Sequence, residues 1–407
     1  MVSANRTEQR TTIDESREHP AGSGVVALLV VAALLVLTQL YAAIPLIAPI
    51  SDELGVNVTF AISTVFSVCY AVGFLVWGPL ADQYGRKRIM TIGLVCLTAA
   101  TVACGLASTV PALAALRGVQ GLMASSFAPV ALAYLAEATA QRRRAMAIGA
   151  MSTAFLVAGI AGQVFASAVS LMLGWQWVFL LSGIALALCV IGVVVAVTEP
   201  ARHATVTATL GQRFVAVGRV AARPPVLLLS VAHLTLLLSF VGMYTGLGPH
   251  SADLGLDSSQ VIWLRLIGLP GMFASLFVGA LAKRIGSAGV ARAGFALAAA
   301  GLLLEATLSA TLIGTALASL VFVTGVALAV PAMIVLFGES AAPNRAGGMA
   351  LNGFVLFLGA SLGPLTAALR LDFPILLVGL AVLMALAVGS LTLFARLTRA
   401  SALKASS

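Results

Sequence analysis

The side chains of this 407-residue sequence that could do chemistry are few, since only 9% of its residues are charged and most of those end long apolar runs. The densest group is Gly78-Pro-Leu-Ala-Asp-Gln-Tyr-Gly-Arg-Lys-Arg88, in which one acid, Asp82, precedes Gly85 and the bases Arg86, Lys87 and Arg88. Gly85 permits the positive φ of a sharp turn. Three consecutive bases suit the cytoplasmic side of a membrane. An acid adds nothing to that topological signal, so Asp82 asks for a role of its own. Deeper in the apolar runs stand Gln39, Tyr41, Arg117 and Gln120. An arginine there costs about 2.5–3.5 kcal/mol and normally faces a cavity or a partner, although a snorkelling side chain is the competing reading. His233 is spaced i, i+4, i+7 and i+11 with Leu237, Phe240 and Tyr244, which sets a titratable ring and a phenol on one helix face. A packed neutral histidine explains the same spacing. Arg265 and Glu305 fall at similar depths in neighbouring runs, which suits a structural ion pair better than a coupling site.

Nothing in this inventory proposes an enzyme. There is no G-x-S-x-G, H-E-x-x-H or phosphate-binding glycine loop. Cys69, Cys96, Cys104 and Cys189 lie inside apolar runs, without the spacing of a disulfide framework or a metal site. No catalytic residue, metal or cofactor is expected.

The elements that carry these residues follow from composition. The chain is 60% hydrophobic, and its charged fraction is far below the roughly 25% of a soluble domain. A span of about 20 apolar residues crosses a ~30 Å hydrocarbon core, and lipid forces the backbone to satisfy itself within each span. The prediction is an all-α membrane protein with twelve transmembrane helices, at about 25–50, 59–80, 89–107, 112–135, 145–173, 178–197, 226–249, 260–282, 290–310, 312–336, 348–369 and 374–395. Residues 1–24 read as a disordered cytoplasmic tail, 198–225 as a cytoplasmic linker between two six-helix halves (25–197 and 226–395), and 396–407 as a second cytoplasmic tail. With both termini inside, every basic residue outside the spans except Arg370 falls on the cytoplasmic face. The net charge of +9 is then topogenic and lipid-facing, and a nucleic-acid partner is not expected. Trp175, Trp177 and Trp263 near outer ends and Trp77 near an inner end suit interfacial belts.

The two halves read as a repeat displaced by 201 residues: Gly78-Pro-Leu-Ala-Asp-Gln-Tyr-Gly85 aligns with Gly279-Ala-Leu-Ala-Lys-Arg-Ile-Gly286, and Gly162 with Gly363. The second copy is degenerate, with Lys283 at the place of Asp82.

The turn from Gly78 to Arg88 resembles the loop between helices 2 and 3 of the major facilitator superfamily, and Arg117, Gln120 and Gly121 resemble its R-x-x-Q-G motif. The resemblance covers about residues 25–395. It implies two pseudo-symmetric six-helix halves with the substrate site between them. It also implies a conformational latch built from Gly78, Asp82, Gly85, Arg86, Lys87 and Arg88, in which the acid meets the amino end of helix 11 and holds the cytoplasmic side closed. The substrate and proton path would draw on Gln39, Tyr41, Arg117, Gln120, His233 and Tyr244. One departure leaves direction open: Gly159 and Gly162 are followed by Gln163 where antiporters carry Gly-Pro, and the Gly363-Pro364 pair stands in helix 11 instead.

The expected function is export of a small organic solute across the inner membrane by proton antiport and alternating access, by a monomer whose partners are solute, protons and lipid. An uptake symporter or facilitator of the same fold is the alternative within transport. A non-transporting receptor or scaffold is the alternative outside it.

Overall fold

The computed structural model describes residues 22–199 and 210–406, and all its regular elements there are helical. The amino-terminal tail and the middle of the linker lie outside the described residues. Span 1 is α1 (Ser23–Tyr41) continued by α2 (Ala43–Leu54), and span 2 is a π-helical turn (Phe60–Thr64) leading into α3 (Val65–Tyr84). Span 3 is α4 (Arg86–Gly105), span 4 is α5 (Val110–Ala124) with α6 (Ala128–Ala138), span 5 is α7 (Gln141–Leu173) and span 6 is α8 (Trp175–Ala196). A short helix, α9 (Leu210–Ala221), occupies the end of the linker. Span 7 is α10 (Pro224–Asp253), and span 8 is the broken run of α11 (Ser258–Leu266), α12 (Leu269–Met272), a 3₁₀ turn (Phe273–Phe277) and the first part of α13 (Val278–Leu308). The rest of α13 is span 9. Spans 10, 11 and 12 are α14 (Leu312–Ser340), α15 (Arg345–Leu362) with a 3₁₀ turn (Pro364–Leu369), and α16 (Phe373–Ser406).

Counted by length and hydropathy, the described residues hold 11 membrane-capable stretches, one of which, Ser259–Leu308, is 50 residues long. That stretch doubles back at Gly286, whose φ of 74° and ψ of 158° are not helical, so the spans number twelve. Gly85 turns the chain between spans 2 and 3 with φ 105° and ψ 143°. The two aligned glycines of the sequence repeat therefore adopt the same backbone, one that strains any side chain. The second aligned pair behaves alike. A Cβ on Gly162 would lie 3.2 Å from the Thr38 backbone of span 1, and one on Gly363 would lie 3.0 Å from the backbone of Leu238 and Gly242 in span 7. Small residues let helix backbones approach in this way without a hydrophobic force between them.

The outer surface of the spans is apolar. Ile184, Leu188, Ile191 and Val195 form one exposed stripe along span 6, which suits lipid rather than water. The aromatic belt is narrower than the sequence suggests: Trp177 and Trp263 are exposed, but Trp175 is buried with its indole donating to Glu53 at 2.6 Å, and Trp77 donates to the Leu122 carbonyl at 2.7 Å. α16 continues to Ser406, through the stretch read as the carboxy-terminal tail.

Candidate functional site

Between the halves lies a cavity of about 820 Å³, within the size range of small-molecule sites. Its walls are apolar: Phe74 from span 2, Phe155 and Gly159 from span 5, Leu237 and Phe240 from span 7, Met272 from span 8, Val326 and Val330 from span 10, and Phe357 from span 11. Formal charge enters only at the mouth, from Asp82, Arg86 and Arg213, which lie on the face of the basic turns. On the opposite face the halves are sealed. Tyr41 and Phe240 meet edge to face at 5.8 Å, Thr64 donates to the Ser361 carbonyl, and Arg265 Nη1 donates to Ser167 Oγ at 2.5 Å.

The residues of the turn are together at the mouth, where Asp82 pairs with bases and not with the amino end of span 11. Asp82 accepts from Arg213 of α9 at 3.1 Å and lies 3.5 Å from Arg86, while Arg86 also pairs with Glu137 at 2.5 Å. The amino end of span 11 is instead capped by Asn344, which accepts from the Gly347 N–H at 3.0 Å. The anion at a helix amino end here is Glu199, which accepts from the Arg86 and Lys87 N–H groups of span 3 at 2.6 and 2.9 Å. Partial positive charge at that terminus favours a carboxylate. Lys87 Nζ reaches the Val194 carbonyl, Arg88 is exposed, and Gly78 lines the cavity.

Of the six path residues, only Tyr41 lines the cavity. Arg117, Gln120 and Gln39 are buried behind the wall. Arg117 donates to the Ile62 carbonyl at 2.6 Å, to the Gln39 carbonyl at 3.1 Å and to Gln120 Oε1, and its guanidinium lies 4.2 Å from the centre of the Phe66 ring. Gln120 donates in turn to Gln39 Oε1 and Thr101. Arg117 has a partner rather than a cavity, because its side chain points at the two places where spans 1 and 2 loosen, just before Ala42 and in the π-helical turn. His233 is fully buried, with Nε2 2.9 Å from the Asn352 amide and Nδ1 unpartnered, so Leu237 and Phe240 of its face reach the cavity while the ring itself does not. Tyr244 is buried, with its hydroxyl beside that of Ser319.

The expected pair of Arg265 and Glu305 is not formed. Arg265 turns across the halves to Ser167, and both carboxyl oxygens of Glu305 are buried without a hydrogen-bond partner. Depth along two helices sets how far in each group lies, not which way it faces.

Four contributors escape the sequence reading: Arg213, Glu137, Glu199 and Asn352. Asn352 is the only amide or charged side chain within the apolar body of span 11, which is a usable signal. The other three lie from 51 to 131 residues from their partners, and no local pattern joins them.

Comparison with known proteins agrees with this architecture. The sequence model of the family described as Major Facilitator Superfamily matches residues 29–364. An uncharacterised MFS-type transporter, Rv1250, of Mycobacterium tuberculosis is 34% identical over 127 residues, which are 31% of this chain and 22% of that protein. Multidrug resistance protein 3 of Bacillus subtilis is 27% identical over 128 residues, 31% of this chain and 25% of that protein. The matched stretch is thus about a quarter or less of either relative's length. A crystal structure of a bacterial homologue of the human lysosomal transporter Spinster, inward-facing and unoccupied, superimposes with a TM-score of 0.71 at 16% identity, covering 93% of this chain and 98% of that one.

Proposed function

From the premise that this chain belongs to the Major Facilitator Superfamily, and so is a multi-pass membrane transporter, we propose that it exports a small, largely apolar organic solute across the inner membrane by alternating access in exchange for protons. The observation that carries this reading is the apolar cavity, open on the face of the basic turns and sealed on the other. With Lys and Arg retained inside, that mouth faces the cytoplasm, as do both termini, and solute enters from there. Few polar groups on the wall suit amphiphiles, and the name of the multidrug relative supports efflux. A single chain encloses the cavity, which supports a monomer as the working unit.

In this reading the mouth stands open because Asp82 is held by Arg213 and Arg86. Closure transfers Asp82 to the amino end of span 11, where the dipole adds about 0.3–1 kcal/mol. Arg117 holds spans 1, 2 and 4 together as they move, and His233, touching the wall residue Asn352, modulates pH dependence. The test is movement of ethidium, a lipophilic cation, in proteoliposomes with an imposed pH gradient. Uphill movement by the wild type and its loss in Asp82→Asn, with ethidium binding retained, is the expected result. Equilibration that ignores the gradient would leave a facilitator in place of an antiporter.

A further inference from the structure

One group of buried polar side chains takes no part in the cavity or its mouth. Glu305 of span 9 is fully buried, and neither carboxyl oxygen has a hydrogen-bond partner. The Tyr244 hydroxyl of span 7 and the Ser319 hydroxyl of span 10 are buried with no partner beyond each other, and Nε of Arg265 in span 8 is buried and unpartnered. These groups are neighbours: Tyr244 lies within electrostatic reach of both Glu305 and Arg265 and beside Ser319. Span 12 packs on span 9 with no charged residue in its apolar body, and the next titratable group outward is His250, whose Nε2 is 2.9 Å from the Ser309 carbonyl. Glu305 is four residues before Ser309, so it stands about one helical turn inside the sealed face.

A bare carboxylate at such a place has no donor to replace its lost water, which is among the costliest arrangements in a membrane interior. The neutral acid needs far less. We infer that Glu305 is a proton-binding site of this protein, and that the proton it carries decides whether Arg265 holds Ser167 of the opposite half. The inference rests on the proton-coupled reading above and adds the residue that does the coupling.

The step is a simple one. With its proton, Glu305 is neutral, and Arg265 is free to bridge the halves through Ser167, as observed. When the proton leaves to water, the carboxylate becomes the one formal negative charge near Tyr244, and Arg265 is the one formal positive charge there. Their attraction draws the guanidinium off Ser167 and loosens the seal. A proton taken from the outside then restores the neutral acid and closes that face again. The site lies beyond the inner end of the cavity, behind Phe240, so solute and proton do not share one pocket.

The experiment needs no substrate. Infrared difference spectra of the full chain in lipid are expected to show the carbonyl stretch of a protonated carboxylic acid at neutral pH, fading as pH rises, absent in Glu305→Gln and kept in Asp82→Asn. Spin labels at Val56→Cys and Ala252→Cys, with the four native cysteines replaced, are expected to report a longer distance between the halves at high pH in the wild type. In Glu305→Gln the short distance should persist at every pH. A pH response unchanged by Glu305→Gln, or an acid band that survives it, overturns the inference. The two readings fail separately. Ethidium antiport that survives Glu305→Gln discards this site and keeps antiport, whereas a wild type with the acid band and pH-driven opening but no antiport keeps the site and discards antiport.

Discussion

The two halves of the molecule treat their buried charges in opposite ways. In the first half Arg117 spends its donors on Ile62, Gln39 and Gln120, and covers the face of Phe66. In the second half Arg265 leaves Nε unused, Glu305 has no partner, and the Tyr244 phenol near both has no partner beyond Ser319. The repeat places Ala318 where the first half has Arg117, so the second half has no equivalent lock. A fully satisfied charge ties helices together. An unsatisfied one is stable only while its surroundings or its proton stay as they are. The first half thus reads as the rigid partner and the second as the one built to change.

The largest effect expected from breaking this contrast is Arg117→Ala. It removes a fully buried side chain and leaves its acceptors bare, and the midpoint of thermal unfolding in detergent should fall by the equivalent of about 2–4 kcal/mol. Arg117→Lys should not rescue it, because one ammonium cannot reproduce the planar fork. Glu305→Gln should leave that midpoint unchanged or raise it, since the amide never has to be desolvated as an ion. A drop as large as that of Arg117→Ala would end the contrast between the halves. Next come the paired glycine turns. Gly85→Ala and Gly286→Ala should each cost about 1–3 kcal/mol for their backbone conformation, while any ethidium movement measured in proteoliposomes should suffer more in Gly85→Ala, because ion pairs surround only the first turn among the described residues. Glu199→Gln should cost about 1 kcal/mol, by weakening the anion at the amino end of span 3. Smallest is Arg213→Gln, at under about 1 kcal/mol for a surface pair, visible mainly as faster closure of the mouth in labelled protein.

Spacing and hydropathy reveal a good deal of this. Twelve spans, the turn at Gly85 and its degenerate copy at Gly286 are legible because lipid and backbone geometry act locally. Helical spacing puts His233, Leu237, Phe240 and Tyr244 on one stripe, of which Leu237 and Phe240 line the cavity. The breaks in spans 1, 4 and 8 are legible in principle, though hydropathy passes over them, because Pro45, Pro129 and Pro270 each stand in the first turn after the break, where a proline lacks an N–H and crowds the carbonyl four residues before it. The burial of Arg117 is not legible, since hydropathy gives depth but not direction around the helix axis. The pairing of Arg265 with Glu305 fails for the same reason, and Asp82 with Arg213 could not be read from sequence because the linker helix folds back over 131 residues.

That linker helix also gives the mouth a sensitivity to its medium. Asp82, Arg86, Arg213 and Glu137 form a short ladder of charges whose acidic members are 35% and 50% exposed. Pairs this open to solvent weaken as salt rises, over a Debye length of about 8 Å at physiological ionic strength. α9 packs against span 11 and touches span 2, so whatever loosens its hold on Asp82 also changes how readily the mouth shuts. Dilute surroundings favour the present pairing of Asp82, and concentrated ones release it, so the ionic strength on the face of the mouth bears on the conformation the protein rests in.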